Sequence, residues 1–203
     1  MLRIHNLGKR HGDHLVFQGL THTFQPGCVA LCEEESTGKS TLLAIIAGLV
    51  TPSEGEVWIE GRSLLECPQQ VKPRIAYVPD NCLQFPALTG RELLEQTAAE
   101  KNASLDDAVF ELAGKLELEP HLDKRFEQMS TGTRRKVYLA AAALGKPAVV
   151  IADGPTNGVD SRACTALAEQ FRAWSHDRVV LFASHDAEFV QACQARTINI
   201  AAP

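Results

Sequence analysis

The sequence has no hydrophobic run long enough to cross a membrane as a helix. Its most apolar stretch near the N-terminus, residues 42–50, is much shorter than the ~20 residues that a spanning helix needs. It also has no excess of basic charge, since 20 Lys and Arg residues stand against 25 Asp and Glu residues, for a net charge of -5. Because broad electrostatic binding to nucleic acid needs clustered positive charge, we expect no nucleic acid partner. Any membrane association is expected to come through another protein.

Paired cysteines and a secretion signal are also missing. The six cysteines form no CxxC pair and do not cluster with histidines at metal-ligand spacing, which argues against a zinc or thiol-redox site. Residues 1–6 are not followed by a long apolar run, so we expect no signal peptide and a cytoplasmic location. The chain has 45% hydrophobic and 22% charged residues over 203 positions, a composition typical of a globular protein with one core.

The hydrophobic pattern predicts an α/β fold. Residues 2–7 and 14–24 show short, partly alternating patterns that indicate an antiparallel β part. Continuous apolar runs at 28–32, 148–152 and 179–183 indicate buried strands, and helical patterns lie between them. This alternation predicts a mostly parallel sheet flanked by helices.

A helical segment interrupts the alternation. The spacing predicts helices over residues 91–99 and 105–116, the second with Ser104 as its N-cap. No internal repeat or flexible linker separates this segment from its surroundings. We therefore expect a helical insertion within one α/β domain.

The clearest chemical signal is Thr37-Gly38-Lys39-Ser40-Thr41, between a predicted buried strand and a predicted helix. In a phosphate-binding loop, backbone N–H groups and a helix N-terminus hold the phosphates, the lysine reaches the outer phosphate oxygens, and the hydroxyl binds Mg²⁺. Taken alone, the segment could also be an ordinary helix start. Whether this segment is a phosphate-binding loop therefore has to be judged together with the segments C-terminal to it.

Three later segments occur in a defined order. Residues 129–136 read Met-Ser-Thr-Gly-Thr-Arg-Arg-Lys, residues 149–160 read Val-Val-Ile-Ala-Asp-Gly-Pro-Thr-Asn-Gly-Val-Asp, and residues 183–186 read Ala-Ser-His-Asp. They resemble, in turn, the signature, the Walker B strand with its D-loop, and the switch-histidine motif of the ATP-binding cassette (ABC) family. Together with the Walker A-like segment at 37–41, these motifs cover nearly the whole chain.

The resemblance implies the fold and the ligands of an ABC transporter nucleotide-binding subunit. The fold would be a P-loop NTPase cassette occupying residues 1–203 as one domain. Its RecA-like core, with the antiparallel β part, would take residues 1–79 and 136–203, and its helical subdomain would be inserted at 80–135. ATP and Mg²⁺ would be bound where two cassettes meet, and membrane-spanning subunits would hold the protein at the inner face of the membrane.

The resemblance also implies roles for individual residues, by their positions in the motifs. The nucleotide contacts would be His11, Glu33, Ser36, Thr37, Gly38, Lys39, Ser40, Thr41 and Asp80. The metal ligands would be Ser40 and Asp153, His185 would sense the γ-phosphate, and Ser130, Thr131 and Gly132 would face the nucleotide of the opposing cassette. A surface role for His11 and a plain helix-capping role for Ser130 stay open.

The loop ahead of Lys39 departs from the family pattern. Glu33 and Ser36 stand where the family has glycines, and residues 33–35 are all glutamates. At an effective dielectric near 20, one carboxylate about 4 Å from a phosphate charge is worth ~4 kcal/mol of repulsion. Side chains turned to solvent would avoid this cost, and the sequence leaves both arrangements open.

The catalytic position departs as well. Gly154 stands where the family has the glutamate that polarises the attacking water, and loss of a general base typically costs ~10²- to 10⁴-fold in rate. Asp80 replaces the Q-loop glutamine, and its carboxylate is a suitable Mg²⁺ ligand. We therefore expect slow hydrolysis at this site and, since the signature keeps Ser130 and Gly132, a heterodimer whose partner hydrolyses. The alternative is an ABC-fold scaffold or regulatory subunit that no longer binds ATP productively.

Overall fold

The computed structural model of the chain describes residues 1–32 and 37–200. The strands are β1 (Leu2–His11), β2 (His14–Phe24), β3 (Gly27–Leu31), β4 (Glu54–Ile59), β5 (Arg62–Ser63), β6 (Ile75–Val78), β7 (Val149–Asp153), β8 (Val179–Ala183) and β9 (Arg196–Ile198). The α-helices are α1 (Lys39–Ile46), α2 (Pro68–Val71), α3 (Gly90–Glu100), α4 (Asp107–Lys115), α5 (Thr131–Ala141), α6 (Ser161–Ser175) and α7 (Ala187–Ala192). Short 3₁₀ helices lie at Lys72–Arg74, Glu119–His121 and Phe126–Gln128.

The N-terminal strands form an antiparallel sheet of order β2-β1-β4-β5. Strands β1 and β2 are joined by a tight hairpin in which His11 pairs with His14 across the turn. Gly12 in that turn has a φ of +57°, a conformation that glycine adopts with little strain. The hairpin carries His11, His14 and the half-buried Val16 toward the parallel sheet.

The second sheet is entirely parallel, with the order β6-β7-β8-β3-β9. All residues of β7 and β8 are buried, as expected of parallel strands covered on both faces. Successive residues face opposite sides, so Val149 and Ile151 pack into one hydrophobic cluster while Val150 and Ala152 pack into the other. The sheet therefore lies between two cores.

Different elements cover the two faces of the sheet. One cluster joins the sheet to α1 and to the buried residues of β1, β2 and β4. The other joins it to α5, α6 and α7 and extends through α3 and α4. Thr89 starts α3 with a reciprocal capping box, because its hydroxyl accepts from the Glu92 backbone while the Glu92 carboxylate accepts from the Thr89 backbone. Local capping and the shared core thus both stabilise the helical insertion.

The predicted fold class is confirmed, and several element boundaries are corrected. Ser104 is not the N-cap of α4, which begins at Asp107 with the Asp106 carboxylate accepting from Val109 N at 3.3 Å. Aspartate competes well with serine for this position, so the pattern alone did not separate the two. The two-residue strand β5 and the four-residue helix α2 were missed because they are too short to show a period. The division into a core of 1–79 and 136–203 and an insertion of 80–135 stays a prediction, and the position between 135 and 136 lies within α5.

The part of the chain covered by residues 1–32 and 37–200 contains no helix long and apolar enough to span a bilayer. Helix α1, which begins the most apolar stretch near the N-terminus, has only 8 residues.

We predict that Phe171→Ala strongly destabilises the protein. Phe171 is fully buried, and its ring centroid lies 5.9 Å from that of Trp174 and 5.6 Å from that of Phe182. The cavity left by removing the ring should lower the free energy of unfolding by about 3–5 kcal/mol in chemical denaturation. The matched control is Phe110→Ala, at an exposed ring of α4, which should change stability by no more than about 0.5 kcal/mol. Equal losses in the two variants would contradict the assignment of the core.

Candidate nucleotide-binding site

The ends of three parallel strands meet at one edge of the sheet. Ala183 at the end of β8 pairs with Leu31 at the end of β3 and with Asp153 at the end of β7. Open parallel sheets bind ligands outside the carboxyl ends of their strands. A cavity of about 540 Å³ opens at this edge, a volume within the range of small-molecule sites.

The cavity brings together most of the residues that the sequence singled out. The predicted residues that line it are His11, Gly38, Lys39, Ser40, Thr41, Asp80, Asp153, Gly154 and His185. The structure adds His14, Val16, Asn157, Ala183 and Ser184. Glu33 and Ser36 lie outside the described residues. Thr37 is not part of the lining, but its hydroxyl oxygen is 3.4 Å from Lys39 Nζ, which donates to it.

The turn into α1 requires glycine at position 38. Gly38 has a φ of +89°, and a Cβ there would lie 2.7 Å from Cγ1 of Val16. Residues Lys39–Thr41 at the N-terminus of α1 line the cavity, and no acidic side chain occupies the first turn of this helix. A helix N-terminus carries a partial positive charge and unpaired N–H groups, so it favours an anion here.

Lys39 and Asp153 place opposite charges against the cavity. Lys39 is only 8% exposed and supplies a compact ammonium charge of the kind that binds phosphate. Asp153 is 7% exposed, and burial raises the pKa of its carboxyl above the ordinary value. The hydrogen bond from Ser40 and the charges of Arg135 and Lys39 lower that pKa, whereas the nearby charge of Asp80 adds to the rise.

The oxygen donors around the cavity fit a hard divalent cation. Ser40 offers a hydroxyl, and Asp153 and Asp80 offer carboxylates, which are the groups that Mg²⁺ prefers. The Ser40 hydroxyl already hydrogen-bonds Asp153, so the two donors lie side by side. A cation between these carboxylates would also offset their mutual repulsion. The donor set therefore fits Mg²⁺ beside a polyphosphate.

The two histidines predicted to contact the nucleotide, His11 and His185, line the cavity and belong to different elements. His11 is exposed at the end of β1, at the hairpin, and His185 is exposed in the segment that follows β8. Local hydrogen bonds fix that segment, because Ser184 Oγ accepts from the Asp186 backbone at 3.1 Å and Asp186 caps α7 by accepting from Phe189 N. The adenine-stacking role of His11 and the phosphate-sensing role of His185 stay predictions.

Sequence reasoning missed two residues that organise the site, Arg135 and Asn157. The Arg135 guanidinium is buried beneath the cavity and donates to the carbonyl oxygens of Pro79, Asp80, Asp153 and Asn157, and to Oδ1 of Asp80 at 3.1 Å. Asn157 Nδ2 donates to the same Oδ1, also at 3.1 Å. Position 135 could not be singled out, because its sequence context is one of three consecutive basic residues and only packing shows which of them is buried.

Gly154 lies where an added side chain would meet the side-chain amide of Asn157. Its φ is +60°, and a Cβ there would lie 2.3 Å from Nδ2 of Asn157 and 3.3 Å from Oδ1 of Asp80. A glutamate at this position would therefore have to displace the Asn157 amide and accept a left-handed backbone conformation. The residues around position 154 are therefore packed against a glycine.

The signature-like segment lies outside the cavity. Ser130 caps α5, since its Oγ accepts from Thr133 N at 3.1 Å, and both Ser130 and Thr131 are exposed. Gly132 is buried against the loop that follows β7, where a Cβ would lie 2.0 Å from the carbonyl oxygen of Gly158. Capping by Ser130 does not exclude contact with a second molecule.

A buried strand leads through a glycine turn into a helix that begins with Lys-Ser-Thr, and an aspartate ends a neighbouring parallel strand beside it. These features define a phosphate-loop nucleotide-binding domain. Residues 17–157 match the family model described as ABC transporter. The chain belongs to this family and has the nucleotide-binding cassette fold.

Individual relatives agree with this assignment. The chain is 29% identical over 210 residues to the cell division ATP-binding protein FtsE of Escherichia coli (strain K12), covering 98% of this chain and 95% of that protein. It is 28% identical over 193 residues to the Nod factor export ATP-binding protein I of Cupriavidus metallidurans, covering 93% of this chain but only 64% of that protein. A solved ATP-binding subunit of an ABC transporter superimposes with a TM-score of 0.86 at 26% identity, covering 98% of this chain and 85% of that one.

We predict that Gly154→Ala destabilises the protein more than the same change at a glycine of similar backbone conformation. Gly12 has a φ of +57°, and no atom of the described residues lies within 4 Å of the place that an added methyl group would take. Gly12→Ala should therefore cost about 1 kcal/mol from backbone strain alone. Gly154→Ala should cost about 2 kcal/mol more, because the methyl group displaces Asn157 from its hydrogen bond to a carboxylate. Chemical denaturation measures both.

A double-variant cycle tests the cause of that difference. In an Asn157→Ala background the added methyl group meets no amide, so the cost of Gly154→Ala should fall to that of Gly12→Ala. Equal costs for the two glycine variants in the wild-type background would refute the packing argument.

We predict that Asp153→Asn stabilises the ligand-free protein at neutral pH, by about 1 kcal/mol. Burial raises the pKa of Asp153 in the folded state, so its ionised form disfavours folding above that pKa. The advantage of asparagine should be lost as the pH falls through the raised pKa toward the ordinary value of 3.8, because wild-type Asp153 is then protonated. Denaturation at a series of pH values checks this. Asp13→Asn, at the exposed hairpin, is the control for the loss of a surface carboxylate. A less stable Asp153→Asn at pH 7 would count against the prediction.

Proposed function

We propose that the chain is the ATP-binding subunit of an ABC transporter, that it binds Mg-ATP, and that it hydrolyses ATP poorly at its own site. The observation that carries the proposal is the cavity lined by Gly38, Lys39, Ser40 and Asp153 at the ends of the parallel strands. A glycine turn, a buried ammonium, a hydroxyl and a carboxylate are the groups that a metal-bound polyphosphate needs.

Each side chain has a defined task in binding. The N–H groups at the start of α1 and the Lys39 ammonium offset the phosphate charge. Ser40 and Asp153 would hold the cation, which would supply further positive charge to offset the phosphates. His11, at the hairpin, contributes a ring surface for the base, and His185 a polar group for the terminal phosphate.

Hydrolysis is expected to be slow because Gly154, the residue directly after Asp153, carries no carboxylate. Gly154 has no side chain to accept a proton, and a side chain added there would first have to displace the Asn157 amide. Asp80 lines the same cavity, but its Oδ1 is already engaged by Arg135 and Asn157. Loss of the general base corresponds to a deficit of ~10²- to 10⁴-fold.

The partners are proposed from the family and from the exposed signature segment. Ser130 and Thr131 are exposed and available to a second cassette. An impaired site in a chain whose signature segment keeps Ser130 and Gly132 favours a heterodimer whose other member hydrolyses. The relatives are named for Nod factor export and for cell division, and the cargo of this chain would be selected by its own membrane partners. Membrane-spanning subunits would hold this cytoplasmic protein at the membrane through the insertion at 80–135, with 1–79 and 136–203 forming the core.

We predict that the purified chain binds Mg-ATP saturably while turning it over about 10²- to 10⁴-fold more slowly than the ~10 s⁻¹ of a typical enzyme. Lys39→Ala should weaken binding at least about tenfold, because the cavity loses its buried positive charge. Isothermal titration and a phosphate-release assay measure the two properties.

The control for this experiment is Lys115→Ala, which removes a lysine that pairs with Glu111 on the surface of α4. It should leave nucleotide binding unchanged. Absence of saturable binding in the wild-type chain would support the scaffold or regulatory alternative, and rapid turnover abolished by Lys39→Ala would show that the site is catalytically intact.

A further inference from the structure

Arg135 is a buried charged side chain to which the proposed binding scheme gives no task. Its side chain is 1% exposed, and its guanidinium makes five hydrogen bonds. Four of them go to backbone carbonyl oxygens, those of Pro79 and Asp80 after β6, of Asp153 at the end of β7 and of Asn157 after it. The fifth goes to the Asp80 carboxylate. Burying a cation is costly unless its donors are satisfied, and here every nitrogen has a partner.

The same geometry fixes one oxygen of Asp80 and leaves the other available. Arg135 Nη2 and Asn157 Nδ2 both donate to Oδ1 at 3.1 Å. Within residues 1–32 and 37–200, no hydrogen bond is formed to Oδ2. The Asp80 side chain is 60% exposed and lines the cavity with Ser40 and Asp153. An exposed carboxylate normally samples several rotamers, and two donors on one oxygen restrict that freedom before any ligand arrives.

A planar guanidinium is suited to this task. One nitrogen, Nη2, reaches both the carbonyl oxygen of Asp80 at 2.8 Å and its carboxylate at 3.1 Å, so backbone and side chain of that residue are held together. At the same time Nη1 donates to the carbonyl oxygen of Asp153 at 2.9 Å. A lysine has a single nitrogen and cannot span these acceptors. The two acidic residues that face the cavity are thereby kept in fixed relation.

We propose that Arg135 is a positioning residue of the nucleotide site: with Asn157 it immobilises Oδ1 of Asp80, so that the second carboxylate oxygen serves the divalent cation that accompanies the nucleotide. The inference rests on the proposed function. The ion pair between Arg135 and Asp80 should therefore affect the part of the nucleotide affinity that depends on the metal. Arg135 positions carboxylates, and it does not position the Lys39 ammonium or the N-terminus of α1.

The test compares nucleotide affinity with and without the cation. Dissociation constants for ATP are measured by titration in excess Mg²⁺ and in EDTA, for the wild type and for Asn157→Ala, Arg135→Lys and Asp80→Asn. Mutation of a residue that hydrogen-bonds a metal ligand typically lowers metal affinity about 10- to 100-fold. Each variant should therefore lower the gain in affinity produced by Mg²⁺ about tenfold or more, while the affinity in EDTA stays within about twofold of the wild type or improves through loss of negative charge.

The control is Arg134→Lys, one residue along the same helix, whose Nε donates to the carbonyl oxygen of Phe126 at 2.6 Å and which has no hydrogen bond to Asp80. It should preserve the Mg²⁺ gain. Asn157 is exposed and its side chain makes only one of these bonds, so Asn157→Ala keeps the test valid if Arg135→Lys fails to fold. An unchanged Mg²⁺ gain in Asn157→Ala and Asp80→Asn would overturn the inference and leave the proposed function standing. A wild-type chain that binds no ATP in either buffer would overturn both.

Discussion

The parallel pairing of β8 with β3 on one side and β7 on the other is the constraint on which the site depends. Because Ala183 pairs with both Leu31 and Asp153, the three strands end at one level, and the segments that line the cavity are placed relative to that level. Burial of the strands sets this register. A slip of one residue would exchange the side chains that face the two hydrophobic clusters, at a cost in packing on both faces of the sheet.

A second set of contacts joins the helical insertion to this edge. The guanidinium of Arg135 bonds the carbonyl oxygens of Asp153 and Asn157, and the Lys136 ammonium lies 2.6 Å from the Asp160 carboxylate. Gly132 adds a close backbone approach to the same loop. Helix α5 and the loop after β7 are therefore held together.

The sequence predicted the layered fold and most of the cavity lining, because both depend on local signals. Continuous apolar runs marked β7 and β8, and the Lys39-Ser40-Thr41 segment marked the start of α1. The network around Arg135 was not predictable in this way. Its partners are mostly backbone carbonyl oxygens distant in the chain, which carry no residue identity, so neither spacing nor composition indicates them. Short elements such as β5 escaped for a simpler reason, since two residues cannot show a period.

The packing around Gly154 is a property of a group of residues. The space that a side chain at position 154 would need is filled by the Asn157 amide, which is held there by Asp80, which in turn is held by Arg135. These residues depend on one another, since a carboxylate at position 80 would repel Asp153 without the buried cation beside it. Replacement of Gly154 alone by glutamate would disrupt these contacts, because the new side chain would displace the Asn157 amide. The proposed slow hydrolysis and the proposed ordering of the cation would therefore both follow from one arrangement, in which the Asn157 amide beside Gly154 and the Arg135 guanidinium hold Asp80.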